Sequence, residues 1–262
     1  MIFCPLFSGS SGNSIFVASD NTKILVDAGM PGKSIDNALK EIGEKGAELD
    51  GIFITHEHSD HIKGVGIFSR KYDIPIYANE LTWKSMIGSL GKIKEENIVV
   101  MNKDHVTIKD MDIFAFPIPH DAAAPRGYSI IANGKKACVA TDLGHFTEEV
   151  KAAIIDGDVV LLECNHDIEM LKVGPYPYPL KRRILSDVGH LSNEACGNAI
   201  LSMQNGRQKK FILGHLSQTN NQPDLAYQTV FGILQCNGVD LEKEININMA
   251  KRSMPSNYTK VV

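Results

Sequence analysis

Two hydrophobic periods alternate along the chain, and this alternation limits the folds that the sequence can adopt. Short β-rich runs come first, joined by turn-forming residues, at 2–7, 15–18 and 23–27. They predict an antiparallel meander. Apolar residues with the spacing of one helical face then occupy 34–42, and a buried strand follows at 51–55. Strands followed by helices and buried strands in this order predict an α/β fold.

The same order occurs again in the second half of the chain. The further predicted helices lie at 60–72, 80–90, 147–155, 179–187, 192–205 and 223–236. The further predicted strands lie at 74–78, 98–101, 158–164, 209–215 and 244–248, with a strand set between 106 and 142. Within that set, Asn133-Gly134 predicts a tight hairpin. Two such halves predict an αββα sandwich, in which two mixed β-sheets pack face to face with helices on both outer sides.

Composition excludes several classes of protein. With 262 residues, 43% hydrophobic and 22% charged, the chain has an ordinary globular composition, and we expect a single domain over 1–262. The formal net charge of -4 argues against a general polyanion binder but leaves room for a local basic patch. The 5 cysteines have no C-x-x-C spacing, which fits reduced thiols in a cytoplasmic protein. The first residues lack the basic stretch of a secretory signal, and no segment reaches the roughly 18 apolar residues of a membrane helix.

A dense group of metal-binding side chains follows the predicted strand at 51–55. It contains three imidazoles and one carboxylate, from His56, His58, Asp60 and His61. Such donors suit Zn, Mn or Fe. His56 and His58 can converge from a turn, whereas Asp60 and His61 start a predicted helix and suit a second ion. The alternative interpretation is a polar surface loop with coincidental histidines.

Four more potential ligands each stand at the carboxyl end of a predicted strand: Asp27, His120, Asp142 and His215. Loops at that edge of a sheet are where α/β proteins build their sites. Any one of the four alone is more often structural than functional. Together they favour one shared site.

The motif H-x-H-x-D-H at 56–61 resembles the signature of the metallo-β-lactamase fold hydrolases. The resemblance extends over nearly the whole chain and implies the αββα fold. It also implies a ligand set. One divalent ion would take His56, His58 and His120, a second would take Asp60, His61 and His215, and Asp142 would bridge them. By the same resemblance, Asp27 is the carboxylate that braces the site.

This resemblance implies a dinuclear, metal-dependent hydrolase. Two ions about 3.5–4 Å apart would generate a bridging hydroxide and clamp the attacking and leaving oxygens. For a phosphodiester substrate the hydroxide would attack phosphorus. The resemblance also implies that Asp60 and Asp27 belong to the catalytic residues. The ions would be Zn or Mn, with Fe as a further option, because such ligand sets accept all three.

A second motif, Gly-His-Leu-Ser-Asn at 189–193, suggests a proton donor. RNA-processing members of the fold carry a similar His-then-Ser motif, whose non-ligand His lies beside the scissile phosphate. Here His190 precedes His215 by 25 residues (215 minus 190). We therefore predict that His190 is a general acid. The alternative is that His190 only caps the following helix, although Ser192 fits that helix start without it.

The serine- and glycine-rich segment 8–14, Asn-His-Asp at 165–167, and the two Gly-His-Leu-Ser motifs at 189–193 and 214–221 together resemble the YycJ/WalJ branch of the fold. That branch is associated with exonuclease action on duplex DNA, so DNA is the implied substrate. The candidate substrate contacts in these motifs are Ser10, Ser11, Asn13, His166 and Ser192. The alternatives are a plain hairpin turn at 8–14 and a structural hydrogen bond for His166.

The segment 172–183 is the best local candidate for contact with nucleic acid. It interleaves two tyrosines with three cations, Lys181, Arg182 and Arg183, which offer stacking faces and phosphate partners. A solvated surface loop is the alternative. We thus expect a DNA phosphodiesterase without a membrane contact or an evident obligate protein partner. A small-molecule hydrolase acting on a cyclic phosphodiester, thioester or lactone is the second hypothesis, and an inactive metal-binding module is the third.

Overall fold

The chain forms two seven-stranded β-sheets in a computed structural model, which describes residues 1–241 and 243–261. The first sheet contains β1 (Ile2–Phe7), β2 (Ser14–Ala18), β3 (Lys23–Val26), β4 (Gly51–Phe53), β5 (Ile76–Ala78) and β6 (Ile98–Val100). The second contains β7 (His105–Ile108), β8 (Met111–Pro117), β9 (Arg126–Ala132), β10 (Lys135–Ala140), β11 (Val159–Glu163), β12 (Lys209–Gly214) and β13 (Ile245–Met249). The last strand, β14 (Thr259–Lys260), returns to the first sheet and pairs with β1.

The two sheets share one plan. In the first, β1, β2 and β3 form an antiparallel meander, and β4, β5 and β6 then add in parallel. In the second, β7 to β10 are antiparallel, and β11, β12 and β13 add in parallel. The predicted hairpin joins β9 to β10, and its Asn133 and Gly134 both have positive φ, at 53° and 69°. That conformation is typical of a primed turn.

Helices cover the outer face of each sheet. In chain order, the helices of the described residues are α1 (Gly32–Glu41), α2 (Ser59–Ile62), α3 (Val65–Tyr72), α4 (Glu80–Leu90), α5 (Glu148–Ile154), α6 (Ile168–Val173), α7 (Tyr178–Ile184), α8 (Asn193–Ser202) and α9 (Pro223–Cys236). Buried apolar side chains of α1, α3 and α4 pack on the first sheet, and those of α5, α8 and α9 pack on the second. A third core lies between the sheets and includes Phe53, Tyr128 and Leu161. The predicted αββα sandwich is confirmed.

Two details differ from the sequence-based expectation. The helix predicted at 60–72 is two helices, α2 and α3, because the backbone at Gly64 packs against the loop after β3. The Gly64 N–H donates to the carbonyl of Ala28 at 2.7 Å, and a Cβ at position 64 would lie 2.2 Å from the carbonyl oxygen of Met30. The helix α6 was not predicted, whereas α7 corresponds to the helix predicted at 179–187, so the segment 172–183 contributes to two helices and is not the surface loop of the alternative interpretation. Among the described residues, no helix is long and apolar enough to cross a bilayer.

Candidate metal centre

The ends of five strands bring the predicted ligands together. Asp27 follows β3 and the segment 56–61 follows β4, while Asp142 follows β10 and His215 follows β12. His120 comes three residues after β8. Because β3 and β4 are parallel, and β10, β11 and β12 are parallel, their carboxyl ends meet at one edge of each sheet. The site therefore lies where these edges of the two sheets face each other.

Three imidazoles form the first group of ligand atoms. The Nε2 atom of His56 lies 3.0 Å from Nδ1 of His58, and Nε2 of His120 lies 3.3 Å from the same Nδ1. His56 is 0% exposed and His120 is 6% exposed. Three ring nitrogens that face one another in this way suit a single metal ion.

A second group lies beside the first and shares a carboxylate with it. Nε2 of His61 and Nε2 of His215 lie 3.6 and 3.8 Å from Oδ2 of Asp60. Oδ2 of Asp142 is 3.4 Å from Nε2 of His61. The other oxygen of Asp142, Oδ1, is 3.8 Å from Nε2 of His120 and 3.6 Å from Nε2 of His215. Asp142 thus stands between the two groups.

Unpaired buried atoms show that these residues fit divalent cations. Oδ2 of Asp142 and Nε2 of His215 are buried and have no hydrogen-bond partner among the described residues. A buried polar atom without a partner is destabilising, and a metal ion would satisfy both atoms. Imidazole nitrogens and carboxylate oxygens are also the donors that Zn and Mn accept. The candidate site can therefore hold divalent metal.

Asp27 orients one ligand from behind. It is fully buried, and its carboxylate accepts hydrogen bonds from the backbone N–H and the hydroxyl of Thr55, each at 2.8 Å. Its Oδ2 also accepts from Nδ1 of His61 at 2.7 Å, which leaves Nε2 of His61 to face the other ligands. Asp27 does not line the cavity that opens onto the predicted ligands, called the metal cavity below. Its geometry is that of a positioning residue.

Glu163, at the end of β11, is a functional candidate that the sequence reading missed. It is fully buried, and its Oε1 accepts from Nδ1 of His190 at 2.8 Å and from Nδ1 of His215 at 2.7 Å. Its Oε2 accepts from the backbone N–H groups of Leu143 and Leu191 at 2.6 and 3.1 Å. A single acid at the end of an apolar strand, beside other strands that end in site residues, was the available signal.

Burial and the neighbouring charged groups shift the pKa values of several histidines in the site. Burial opposes charge on His61, but the surrounding carboxylates of Asp142, Asp27 and Asp60 raise its pKa to about 9. Burial and the neighbouring imidazoles lower the pKa of His56 well below its usual value. For His190, burial is outweighed by the Glu163 carboxylate, which raises the pKa.

Three of the site residues adopt left-handed backbone conformations. Asp27, Asp142 and His215 have φ values of 60°, 61° and 55°, each within two residues of the end of a strand. Non-glycine residues adopt this conformation uncommonly, and such residues cluster at functional sites. In each case the turn ends the strand and carries the chain across the sheet edge.

A polar cavity of about 330 Å³ opens onto the ligands. Besides six side chains that the sequence predicts as ion ligands or proton donor, it is lined by Ser10, Ser59 and Arg183. Arg183 forms a two-point ion pair with Asp121, through Nε to Oδ2 and through Nη2 to Oδ1 at 2.9 Å. His190 lines the same cavity, with Nδ1 bound to Glu163. Among the described residues of this lining, Arg183 is the one arginine or lysine.

Of the eight predicted substrate contacts, only Ser10 and Arg183 line the cavity. Asn13 is buried behind it, where its amide nitrogen lies 3.5 Å from Oδ2 of Asp60 and 3.1 Å from Nε2 of His61. Ser192 caps α8, accepting the Ala195 N–H at 3.1 Å. These two side chains are occupied by internal hydrogen bonds.

The other four predicted contacts also lie away from the cavity. His166 is buried, and neither ring nitrogen has a partner among the described residues. Ser11 is exposed on the loop after β1. The ammonium group of Lys181 donates to the carbonyl of Lys172 at 2.7 Å, and the guanidinium of Arg182 lies 6.0 Å from the ring centre of Tyr178.

Comparisons with known proteins agree with this geometry. A sequence model of the metallo-beta-lactamase superfamily matches residues 8–215. The chain is 46% identical to exodeoxyribonuclease WalJ of Streptococcus pneumoniae over 229 residues, which cover 86% of this chain and 85% of that protein. It is 39% identical to exodeoxyribonuclease YycJ of Bacillus anthracis over 255 residues, 97% of each chain.

Solved structures share the fold at low sequence identity. The metallo-beta-lactamase fold protein YhfI of Bacillus subtilis superposes with a TM-score of 0.69, at 15% identity, over 98% of this chain and 100% of that one. The short form of human tRNase Z superposes with a TM-score of 0.66, at 16% identity, over 100% of both chains. From its sequence matches and its fold, the chain belongs to the metallo-β-lactamase superfamily, in its YycJ/WalJ-like branch.

Proposed function

We propose that this chain is a metal-dependent phosphodiesterase that degrades DNA as an exonuclease, with two divalent metal ions, Zn or Mn, at its centre. The observation that carries the proposal is the position of Asp142, whose two oxygens face the two groups of ligand atoms. Two relatives that cover most of the chain are named exodeoxyribonucleases, which supports DNA as the substrate class. Cytoplasmic location is part of the proposal, because all 5 cysteines are free thiols.

In this proposal, His56, His58 and His120 would hold the first ion. Asp60, His61 and His215 would hold the second. When bound, the two ions supply Lewis-acid activation of the phosphate and of the attacking water. The chain contributes the fixed geometry. Asp27 holds His61 and Glu163 holds His215 by their Nδ1 atoms, so that each Nε2 points inward.

His190 is the proposed proton donor. Its Nδ1 is held by Glu163, and its Nε2 makes no hydrogen bond among the described residues. A protonated Nε2 can therefore transfer its proton to the leaving oxygen as the bond from phosphorus to that oxygen breaks. The hydroxyl of Ser192 caps α8, so the helix does not need His190 as a cap.

Arg183 is the proposed phosphate contact. It is the cation in the cavity lining, and its bidentate pairing with Asp121 fixes the direction of the guanidinium. Guanidinium groups bind phosphate oxygens through directed hydrogen bonds. Asp121 follows the ligand His120 directly, so the same loop positions an ion ligand and the phosphate contact.

The test is a nuclease assay on end-labelled duplex and single-stranded DNA, with metal content measured on every sample. We expect the wild-type protein to shorten DNA from an end, and His58→Ala to lose both metal and activity. Equal rates for the two proteins would contradict the proposal. Cleavage of bis-p-nitrophenyl phosphate without cleavage of DNA at low salt would instead favour the small-molecule hydrolase, since electrostatic DNA binding is strongest at low salt.

A further inference from the structure

A second cavity, of about 370 Å³, lies next to the metal cavity. Residues that follow β12 line both cavities, and the end of the parallel strand β13 lines the second, so both cavities lie at the same edge of the second sheet. Ser8 lines the second cavity and Ser10 the metal cavity, while Leu216 lines the second and His215 the metal cavity. His215 and Leu216 are consecutive and Ser8 and Ser10 are separated by one residue, so the Cα atoms of these pairs lie about 3.8 Å and at most about 7 Å apart. A strand of substrate that occupies the metal cavity is within reach of the second.

The lining of the second cavity combines apolar surface with positive charge. Leu216, Pro223, Met249 and Met254 supply the apolar part, and Met254 is 48% exposed. Two cations, Lys251 and Arg252, stand together at the loop after β13. No Asp or Glu is among the described residues of the lining. We refer to this cavity as the Met249–Met254 pocket.

Arg252 is held in place without a neutralising acid. Its Nη2 donates to the carbonyl oxygens of Leu216 and Ser217 at 3.2 and 3.0 Å. Within the described ranges no carboxylate lies within 4 Å of its nitrogens, and Nη1 makes no hydrogen bond. Gly9 leaves room for the side chain, since a Cβ there would lie 3.1 Å from Cγ of Arg252. The guanidinium charge is thus fixed beside the loop after β1 and remains available to an anion.

We infer that the Met249–Met254 pocket binds one nucleotide of the DNA strand being cleaved, next to the scissile phosphate. Its base packs on the methionine, leucine and proline surfaces, and its phosphate contacts Lys251 and Arg252. Cavities of this size with apolar walls and a few placed polar groups are typical ligand sites. Methionine side chains adapt to ligands of different shape, which suits all four bases. The inference rests on the proposed DNA phosphodiesterase activity and adds a subsite to it.

The pocket predicts a difference between long and short substrates. A DNA strand occupies the metal cavity and the pocket together, whereas bis-p-nitrophenyl phosphate has no neighbouring nucleotide and fills only the metal cavity. Changes in the pocket therefore raise the KM for DNA and leave hydrolysis of the small diester unaltered. A general loss of folding or of metal would reduce both activities.

Binding is tested without catalysis, by titrating the zinc-loaded protein with deoxyadenosine 5′-monophosphate and following the methyl signals of its 9 methionines by NMR. We expect saturable shifts of the Met249 and Met254 signals, assigned with Met254→Leu and Met249→Leu, and no shift of Met86, which is buried in α4. Lys251→Glu should weaken this binding about tenfold, a change of about 1.4 kcal/mol. Met249 and Met254 signals that stay in place up to millimolar nucleotide would overturn the inference.

Kinetics on DNA separate this inference from the proposed function. Lys251→Glu and Met254→Trp, which fills the pocket, should each raise the KM for end-labelled duplex DNA about tenfold. Metal content and bis-p-nitrophenyl phosphate hydrolysis should not change. Phe114→Trp, on the outer face of the second sheet and 38% exposed, is the matched control. An unchanged KM in both pocket variants overturns the subsite and leaves the nuclease intact, whereas a wild-type protein that cleaves no DNA contradicts the nuclease.

Discussion

At the scale of single residues, Glu163 connects two imidazoles with different proposed tasks, the ion ligand His215 and the proton donor His190. We expect Glu163→Gln to lower metal affinity and kcat by about 10–100-fold, because its carboxylate accepts from four donors and an amide would place N–H groups among them. Metal retention against a chelator and rates on DNA measure the effect. Glu148→Gln, whose side chain is 92% exposed, is the control. Equal behaviour of the two variants would argue against a positioning role.

His190 should affect the chemical step and spare metal binding, since it is placed as a proton donor rather than as a ligand. We expect His190→Ala to keep its metal ions while kcat for DNA falls about 10²–10⁴-fold. Single-turnover rates and metal analysis of the same sample test this expectation. A full rate with full metal content would remove His190 from the mechanism, and loss of metal would make it a ligand.

At the scale of elements, two turns connect the sheets at the edge opposite the metal centre. Asp110, in the turn between β7 and β8, accepts from the hydroxyls of Ser19 and Thr22 at 2.6 Å each, and from the backbone N–H of Asn21 at 3.2 Å. These three donors belong to the turn between β2 and β3. The hydrogen bonds, with Ser19 first, lower the pKa of Asp110 to about 2. The charged carboxylate therefore stabilises the folded state.

We expect Asp110→Ala to lower the free energy of unfolding by about 1 kcal/mol at pH 7. Because the pKa is lower in the folded state than its ordinary value of 3.8, the contribution is present above about pH 4. It is lost as the pH falls from there towards about 2, where the folded carboxylate takes up its proton. Urea unfolding of both proteins at pH 7 and pH 3 measures the difference. A larger difference in the free energy of unfolding at pH 3 than at pH 7 would contradict this prediction.

The type and order of the elements were largely predictable, because hydrophobic period and turn residues act over a few neighbouring positions. The bounds predicted for β1 and α4 agree with the structure, as does the hairpin at Asn133-Gly134. The break at Gly64 was not predictable, since it depends on contact with the loop after β3, which is distant in sequence. The short helix α6 was missed for lack of a long apolar repeat.

At the scale of the whole molecule, both sequence halves contribute to the core between the sheets. Phe53 of the first sheet stacks on Tyr77 at 4.5 Å between ring centres and meets Tyr128 of the second sheet edge-on at 5.7 Å. The Tyr128 hydroxyl donates to the carbonyl of Ile54 at 2.7 Å, one residue after β4. A core shared in this way favours one cooperative folding unit, as the single domain predicted over 1–262 requires.

Unfolding should therefore show one transition. The chain has 1 Trp, Trp83 in α4, so its fluorescence reports on the first half, while far-UV circular dichroism reports on both. We expect the two signals to give the same midpoint in urea. Distinct midpoints would mean that the halves unfold separately, and the prediction of one domain would then be wrong.

The sequence by itself determined the α/β class, the repeated order of strands and helices, and the concentration of ligands at 56–61, because each is a local pattern. Only the tertiary structure decided which side chains meet. It placed Glu163 behind His190 and His215, set Arg183 into the cavity on Asp121, and turned Asn13 and Ser192 to internal hydrogen bonds. The direction of a side chain at a sheet edge depends on segments far apart in the chain, whose pairing is settled only when the two sheets pack.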